Sequence, residues 1–205
     1  VATVLPPMAW VSEAWAIAPG PPTILAGYAG GGKTLFAQDL ATAVATPGRE
    51  FLGGQVAHGR VIHIDHEQGL RECVDRYQLL GLKASSELRL CTMPDAWRLN
   101  AAGAIDGLRT VCRGARLCVI DSLRASIPGA DENESSLRKW LDALTPLSEE
   151  LGCAYLIISH SRKGSADDKG GLETMRGTSA IADAASSVIT MVRDEGQVHA
   201  RLISD

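Results

Sequence analysis

The sequence predicts an α/β domain with a mostly parallel, twisted sheet that is flanked by helices on both faces. Short, continuous apolar segments alternate with longer segments of helical pattern along the 205 residues. Continuous apolar runs are typical of strands that are buried on both faces of a parallel sheet, and the helices between them form the crossover connections. A glycine-rich segment separates the first such strand from the first helix.

The apolar runs locate the individual elements. We expect strands at 23–26, 61–65, 88–91, 117–121, 154–159, 188–192 and 198–203. We expect helices at 33–45, 70–80, 104–113, 134–151 and 179–185, with an additional N-terminal helix at 9–18. The last strand lacks a closing partner and the chain starts at Val1, so we expect residues 1–205 to be a single domain of a longer protein.

Composition places the chain among soluble globular proteins. The apolar fraction is 45% and the charged fraction 21%, and the sequence contains neither a signal peptide nor an apolar stretch long enough to span a membrane. The net charge of −4 disfavours a broad basic face for duplex DNA. The cysteines form no Cys-x-x-Cys pair and are expected to be reduced, buried thiols in a cytoplasmic protein: Cys73, Cys91, Cys112, Cys118 and Cys153.

Residues 27–34 fit the phosphate-binding pattern G-x-x-x-x-G-K-[ST]. Glycines let the backbone fold around an anion with its N–H groups pointing inward, and the following helix adds the positive end of its dipole. Lys33 would reach the β- and γ-phosphates of ATP, and Thr34 would offer a hydroxyl to Mg²⁺. The expected nucleotide-binding residues are Gly27, Tyr28, Ala29, Gly30, Gly31, Gly32, Lys33, Thr34 and Leu35.

The surroundings of this loop favour a functional interpretation over a simple glycine-rich turn. A short apolar run, 23–26, follows two prolines and precedes the loop, and an alanine-rich helical segment follows it. The loop therefore lies between a strand and a helix, as phosphate binding requires. A dinucleotide-binding G-x-G-x-x-G pattern does not fit, because Ala29 stands at its third position.

A second apolar strand, 117–121, ends in Asp121. In phosphate-loop NTPases an Asp at this place orders the Mg²⁺ shell, and the alternative is an acid that merely ends a strand. One large group of ring ATPases has a catalytic Glu directly after this Asp, but the next residue here is Ser122. The residue that orients the attacking water must therefore come from elsewhere.

The strand at 61–65 offers that residue. His63, Asp65 and Glu67 share one side of an extended segment, and Glu67 lies just past its carboxyl end. We expect Glu67 to be the general base, with Asp65 as the alternative. A metal site built from His63, His66 and an acid is disfavoured, because neighbouring strand positions point to opposite faces.

The strand at 154–159 ends in Ser159, and His160 follows it directly. His160 could contact the γ-phosphate and report its loss to the next loop, or it could simply cap the strand. That loop contains Arg162, Lys163 and Lys169, which could bind a nucleic-acid backbone and respond to hydrolysis. The alternative is an ordinary surface loop, and Asp167 and Asp168 weaken the DNA interpretation.

The order of these motifs resembles the RecA-like ATPases, which share a P-loop NTPase core. Within them it resembles the plasmid-type hexameric replicative helicases and their relatives, which are often called simply AAA-family ATPases. The resemblance covers nearly the whole chain. The segments that carry it are GYAGGGKT at 27–34, REFLGG at 49–54, GRVIHIDHEQ at 59–68, LCVIDSLRAS at 117–126, LIISHSRKG at 156–164 and MRGTSAIADAA at 175–185.

The resemblance implies an ATPase that assembles as a homo-oligomeric ring, usually a hexamer, with ATP and Mg²⁺ between protomers. By the same resemblance Asp121 would order the metal, Glu67 the water, and His160 would sense the γ-phosphate. Arg176 matches the arginine that such proteins donate to the neighbouring subunit's ATP, although a local salt bridge is the alternative. Two loops, near 127–134 and after His160, would face single-stranded DNA in the pore.

The resemblance leaves three functions to compare. The first is a DNA-stimulated helicase for replication of a plasmid, phage or other mobile element. The second is an ATPase that is coupled to DNA or to a protein partner in repair, recombination or regulation, which the acidic segment IPGADENE at 127–134 favours. The third is a small-molecule kinase, which would need a lid with several arginines; the sequence shows no such cluster.

Overall fold

The computed structural model describes residues 7–83, 86–93, 98–129, 135–160, 179–194 and 197–203. Its strands are β1 (Thr23–Gly27), β2 (Arg60–Gly69), β3 (Leu88–Met93), β4 (Ala115–Asp121), β5 (Ala154–His160), β6 (Ser187–Asp194) and β7 (Gln197–Ile203). Its helices are α1 (Lys33–Val44), α2 (Leu70–Leu79), α3 (Ala104–Val111), α4 (Leu123–Ser126), α5 (Ser135–Leu151) and α6 (Ser179–Ala182).

All the strands belong to one sheet in the order β3-β2-β4-β5-β1-β6-β7. Every neighbouring pair from β3 to β6 is parallel, and β7 pairs antiparallel with β6 at the edge. The predicted α/β class with a mostly parallel sheet is therefore confirmed. Parallel neighbours end at the same edge of the sheet, so the residues that follow β1, β2, β4 and β5 meet there.

Helices cover both faces of the sheet, and the strand side chains alternate between them. On β4, Leu117 and Val119 pack into the apolar cluster beneath α1 and α2. Cys118 and Ile120 of the same strand pack into the opposite cluster, which α3, α4, α5 and α6 cover. All four side chains are fully buried. This two-sided burial explains why the central strands have uninterrupted apolar sequences.

The N-terminal segment is not the helix that we expected at 9–18. Ser12 and Ile17 instead form an antiparallel bridge, and the amides of Val11 and Ser12 donate to the carbonyl oxygen of Ile17 at 2.8 and 3.2 Å. Val11 and Ile17 are buried in the cluster with α1. The burial of these apolar side chains in a turn outweighs the helix propensity of the alanines between them.

The C-terminal strand also differs from the expectation. Residues 198–203 were expected to lack a closing partner, but β7 pairs with β6 from Val188↔Ile203 to Asp194↔Gln197. The last helix is shorter than predicted, since α6 covers Ser179–Ala182. Within the described ranges, no helix is both long enough and apolar enough to cross a membrane.

Candidate functional site

The predicted site residues lie at the carboxyl ends of four adjacent strands. Gly27 at the end of β1 is in register with His160 at the end of β5. Asp65, the last residue of β2 that pairs with β4, is in register with Asp121 at the end of β4. The order β2-β4-β5-β1 therefore brings the acids, the histidine and the phosphate loop to the same edge.

The phosphate loop turns sharply into α1, which begins at Lys33. Gly30 and Gly32 have φ angles of 74° and 85°, a left-handed conformation that favours glycine. The Lys33 ammonium donates to the carbonyl oxygens of Gly27 and Tyr28 at 2.8 and 2.7 Å. Burial lowers the pKa of Lys33, and the charges of Asp121 and Glu67 oppose that shift. The cation is thus held across the loop where phosphates would enter.

Gly27 is required by a close approach to β6. A Cβ atom at Gly27, whose φ is +156°, would lie 2.6 Å from the carbonyl oxygen of Met191. We expect Gly27→Ala to lower the free energy of unfolding by about 2–4 kcal/mol, because it adds steric overlap to backbone strain. The matched control is Gly48→Ala, because Gly48 has a φ of +72° and no atom within 4 Å of such a Cβ. In urea unfolding, Gly48→Ala should lower the free energy of unfolding by about 1–2 kcal/mol, from backbone strain alone. Equal losses in the two variants would contradict the contact between Gly27 and Met191.

Thr34 and Asp121 form the oxygen-rich part of the site. The Thr34 hydroxyl donates to Asp121 Oδ2 at 2.6 Å. Asp121 Oδ1 is buried and has no hydrogen-bond partner in the described part of the chain. Burial raises the pKa of Asp121 to about 6, and the charges of Asp65 and Glu67 act in the same direction. A hydroxyl and an unpartnered carboxylate oxygen are hard donors, so this pair fits Mg²⁺.

Glu67 belongs to a hydrogen-bonded group beside this pair. Its Oε1 accepts a hydrogen bond from the Ser122 hydroxyl and lies 3.1 Å from His160 Nε2. The contact with His160 lowers the pKa of Glu67 to about 2, and Ser122 and the charge of Lys33 contribute to the same shift. Glu67 is therefore ionised and fixed in place, and its side chain remains 38% exposed.

Asp65 has a different environment from Glu67. It is fully buried, and its Oδ1 accepts hydrogen bonds from the amides of Glu67 and Gln68, both at 2.8 Å. Its Oδ2 accepts a hydrogen bond from Cys73 Sγ at 3.2 Å. Both oxygens are thus used to shape the end of β2, which favours Glu67 over Asp65 as the residue that contacts water.

The two histidines of β2 are not brought together as metal ligands. His63 is fully buried, with Nδ1 2.9 Å from the Tyr77 hydroxyl oxygen, and burial lowers its pKa to about 4. Among the described residues, the possible ligand atoms of His63, Asp65 and Asp121 lie within 4.8 Å of one another. His66 is in no such group among those residues, as the alternation of the strand predicts.

A cavity of about 390 Å³ opens next to the phosphate loop. Its walls are residues 30–35, Gln68, Arg76 and His160. Gln68 and Arg76 were not predicted from the sequence, and neither was the contact between Ser122 and Glu67. The sequence did contain a signal for Gln68 and Arg76. Gln68 follows Glu67 directly, and α2, which carries Arg76, starts at Leu70. A helix that begins at the end of β2 must border the same edge of the sheet.

The structure describes Leu35 but not four basic residues that were expected at the site. Leu35, at the start of α1, lines the cavity and is 51% exposed. The expected arginine finger, Arg176, and the expected DNA contacts, Arg162, Lys163 and Lys169, lie outside the described residues. Their roles therefore stay predictions.

A phosphate loop between a strand and a helix, with acids at the ends of neighbouring strands, defines a P-loop nucleotide-binding domain. The sequence matches the AAA domain family over residues 1–166, and the chain belongs to that family. The protein is therefore a P-loop ATPase, with the nucleotide-binding and hydrolase activity that this class carries.

Proposed function

We propose that this chain is the ATP-hydrolysing motor of a hexameric ring, a DNA helicase that acts in replication of a plasmid or another mobile element. The observation that supports this function is the group formed by Glu67, Ser122 and His160. The Glu67 side chain reaches from β2 to Ser122, the residue that follows Asp121. One large group of ring ATPases has its catalytic Glu at the position of Ser122. In the hexameric helicases that the motif order resembles, the base likewise comes from the strand after the phosphate loop.

Each residue has a definite task in this proposal. Lys33 and the amides at the start of α1 bind the phosphates. Thr34 and Asp121 hold Mg²⁺, which neutralises charge on the phosphate oxygens when bound. Glu67 orients the attacking water and accepts its proton. The open face of Glu67, at 38% side-chain exposure, leaves room for that water.

His160 provides a link between the nucleotide and the next loop. Its ring lines the cavity and also contacts Glu67. The residues that follow it include the three cations proposed to contact single-stranded DNA, namely Arg162, Lys163 and Lys169. Loss of the γ-phosphate would change the partners of His160, and the loop that starts at the next residue would respond. Such coupling is what a motor on DNA needs.

In the proposed mechanism, the neighbouring subunit of the ring supplies a positive charge to the ATP. Arg176 of one subunit would reach the ATP of its neighbour and stabilise the charge that spreads over the transferring phosphoryl group. Hydrolysis would then require assembly, so that ATP binding by one protomer is coupled to the position of the next.

A second function is favoured by one observation of the sequence. The segment 127–134, which would face DNA in a ring helicase, reads IPGADENE and has no cation and no aromatic residue. Such a segment repels a phosphate backbone. The second candidate is therefore an ATPase that is coupled to DNA or to a protein partner, in repair, recombination or regulation, without unwinding.

Steady-state ATP hydrolysis by the full-length protein, with and without single-stranded DNA, separates these functions. We expect DNA to stimulate turnover and Lys33→Ala to abolish it, because the ammonium that would bind the β- and γ-phosphates is removed. Stimulation that the variant loses supports coupling to DNA, and an unwinding assay then separates the helicase from an ATPase that is coupled to DNA without unwinding. Turnover that is indifferent to DNA contradicts the helicase and supports the protein-coupled alternative.

A further inference from the structure

Three buried side chains meet at the carboxyl ends of β2 and β4, next to the start of α1. His63, Asp65 and Asp121 are fully buried, and one nitrogen or oxygen atom of each lies within 4.8 Å of the others. We propose that these three residues bind a divalent transition-metal ion of the Zn²⁺ class. Such a site is separate from the Mg²⁺ of the nucleotide, and it would exist whether or not the protein is a helicase.

The His63 ring directs one nitrogen at the carboxylates. Nδ1 lies 2.9 Å from the Tyr77 hydroxyl oxygen, and Nε2 lies 3.9 Å from Asp65 Oδ2, which is too long for a hydrogen bond. Nε2 is buried and has no hydrogen-bond partner among the residues described. A ring that donates its Nδ1 proton to Tyr77 leaves a lone pair on Nε2, and burial keeps the imidazole neutral by lowering its pKa to about 4. Histidine binds metals in this form, oriented by a hydrogen bond at its other nitrogen.

The two carboxylates provide the negative charge that a dication needs. Asp121 Oδ2 accepts the hydrogen bond from Thr34, while Oδ1 is buried without a partner in the described ranges. Burial, together with the nearby charge of Asp65, raises the pKa of Asp121 to about 6. Two carboxylates that share a buried place repel each other, because the surroundings screen their charges poorly. One dication would neutralise both of them.

The neighbours of Asp65 hold it in place for an ion. Its Oδ1 accepts hydrogen bonds from the amides of Glu67 and Gln68, both at 2.8 Å, and its Oδ2 accepts one from Cys73 Sγ at 3.2 Å. Burial raises the pKa of Cys73 to about 12, so the thiol stays a hydrogen-bond donor and is not a thiolate ligand. A carboxylate oxygen has more than one lone pair, so Oδ2 can bind an ion while it accepts the bond from the thiol.

The donor atoms and the burial favour Zn²⁺ over Mg²⁺. Mg²⁺ binds oxygen atoms and keeps several water molecules, for which a fully buried group offers little room. An imidazole nitrogen with carboxylate oxygens suits Zn²⁺, whose ligands at about 2.0–2.2 Å lie about 3.3–3.6 Å apart in a tetrahedron. The 3.9 Å between His63 Nε2 and Asp65 Oδ2 therefore has to close by only about half an ångström.

A second group of possible ligands provides the matched control. Glu67, Asp121 and His160 also have ligand atoms within 4.8 Å of one another, but the side chains of Glu67 and His160 are 38% and 31% exposed. An ion in this group would belong to the nucleotide site. The two groups share Asp121 and differ in their histidine, so His63→Asn and His160→Asn show which of them binds Zn²⁺.

The test measures Zn²⁺ binding by the metal-free, full-length protein in excess Mg²⁺ and without nucleotide, in competition with a chromophoric chelator. We expect one bound ion per chain. His63→Asn should weaken binding by about 100-fold or more, because a ligand contributes more than the about 10–100-fold of an outer-shell partner. Tyr77→Phe should weaken it by about 10-fold, since Nδ1 loses that partner. His160→Asn, and His58→Asn at an exposed histidine, should leave the affinity unchanged.

X-ray absorption of the zinc-loaded wild-type protein identifies the ligands even if a core variant fails to fold. We expect nitrogen and oxygen atoms at about 2.0–2.2 Å and no sulfur at about 2.3 Å. A sulfur ligand would place the ion at cysteines and overturn the proposal. Absence of bound zinc in the wild-type protein would overturn it too. Binding that His160→Asn or His58→Asn removes, and His63→Asn retains, would assign the ion to the nucleotide site or to the surface and would equally contradict the buried site.

Discussion

Glu67→Gln is expected to lower the rate of ATP hydrolysis by about 10²–10⁴-fold, the usual contribution of a general base, while nucleotide binding is retained. The substitution keeps the shape of the side chain, and the amide oxygen can still accept the hydrogen bond from Ser122. It removes the charge that attracts the proton of the attacking water. Single-turnover hydrolysis and nucleotide affinity, measured on the same preparation, separate these two effects.

A matched acid on the protein surface provides the control for this variant. Glu150 pairs with Arg109 at 3.0 Å, and its side chain is 51% exposed. Glu150→Gln should leave hydrolysis unchanged. Normal hydrolysis in Glu67→Gln would remove Glu67 from the role of base, and Asp65 would then be the next residue to test.

Asp121→Asn is expected to abolish hydrolysis and at the same time to stabilise the nucleotide-free protein. Asp121 is 1% exposed, and its Oδ1 has no partner among the residues that the structure describes. An amide at this place could keep the hydrogen bond from Thr34 and donate to Asp65 or His63 with its nitrogen. The shift of the Asp121 pKa from 3.8 to about 6 corresponds to up to about 3 kcal/mol at neutral pH.

The stability effect is measured by thermal unfolding at pH 7.5 in EDTA, so that neither nucleotide nor metal contributes. A gain of about 3 kcal/mol raises Tm by about 6–12 °C in a protein of this length. The control is Asp142→Asn, since Asp142 is 52% exposed and pairs with Arg138 at 2.8 Å; it should shift unfolding by less than about 0.5 kcal/mol. A lower Tm in Asp121→Asn would show that its charge stabilises the empty site.

The sequence predicted the sheet and the edge where the site lies, because both follow from short-range patterns. An apolar run that ends in an acid, as at Asp121 or in the segment before Glu67, marks a buried strand and its carboxyl end. The phosphate loop is contiguous in the chain, so its glycines, Lys33 and Thr34 could be read together. The family match supports the ATPase class that these residues indicate.

The sequence did not predict features that depend on contacts between distant segments. Residues 9–18 have helical composition, but Val11 and Ile17 bury their side chains against α1, and a turn results. Ser122 contacts a residue 55 positions earlier, and nothing in the local pattern of β4 indicates that contact. Arg76 looks like a helix-surface cation until the position of α2 beside the phosphate loop is known.

His63 and Asp121 exchange protons with solvent in opposite directions when the chain unfolds. The pKa of His63 is about 4 in the folded protein against 6.5 for an ordinary histidine, so unfolding takes up a proton between these values and stability falls as pH falls. The pKa of Asp121 is about 6 against 3.8, so unfolding releases a proton in almost the same range and stability rises as pH falls. The two contributions offset each other, so this buried pair adds little to the pH dependence of stability. The lowered pKa values of His66 and Glu67 are not offset in this way, and they make stability fall as pH falls.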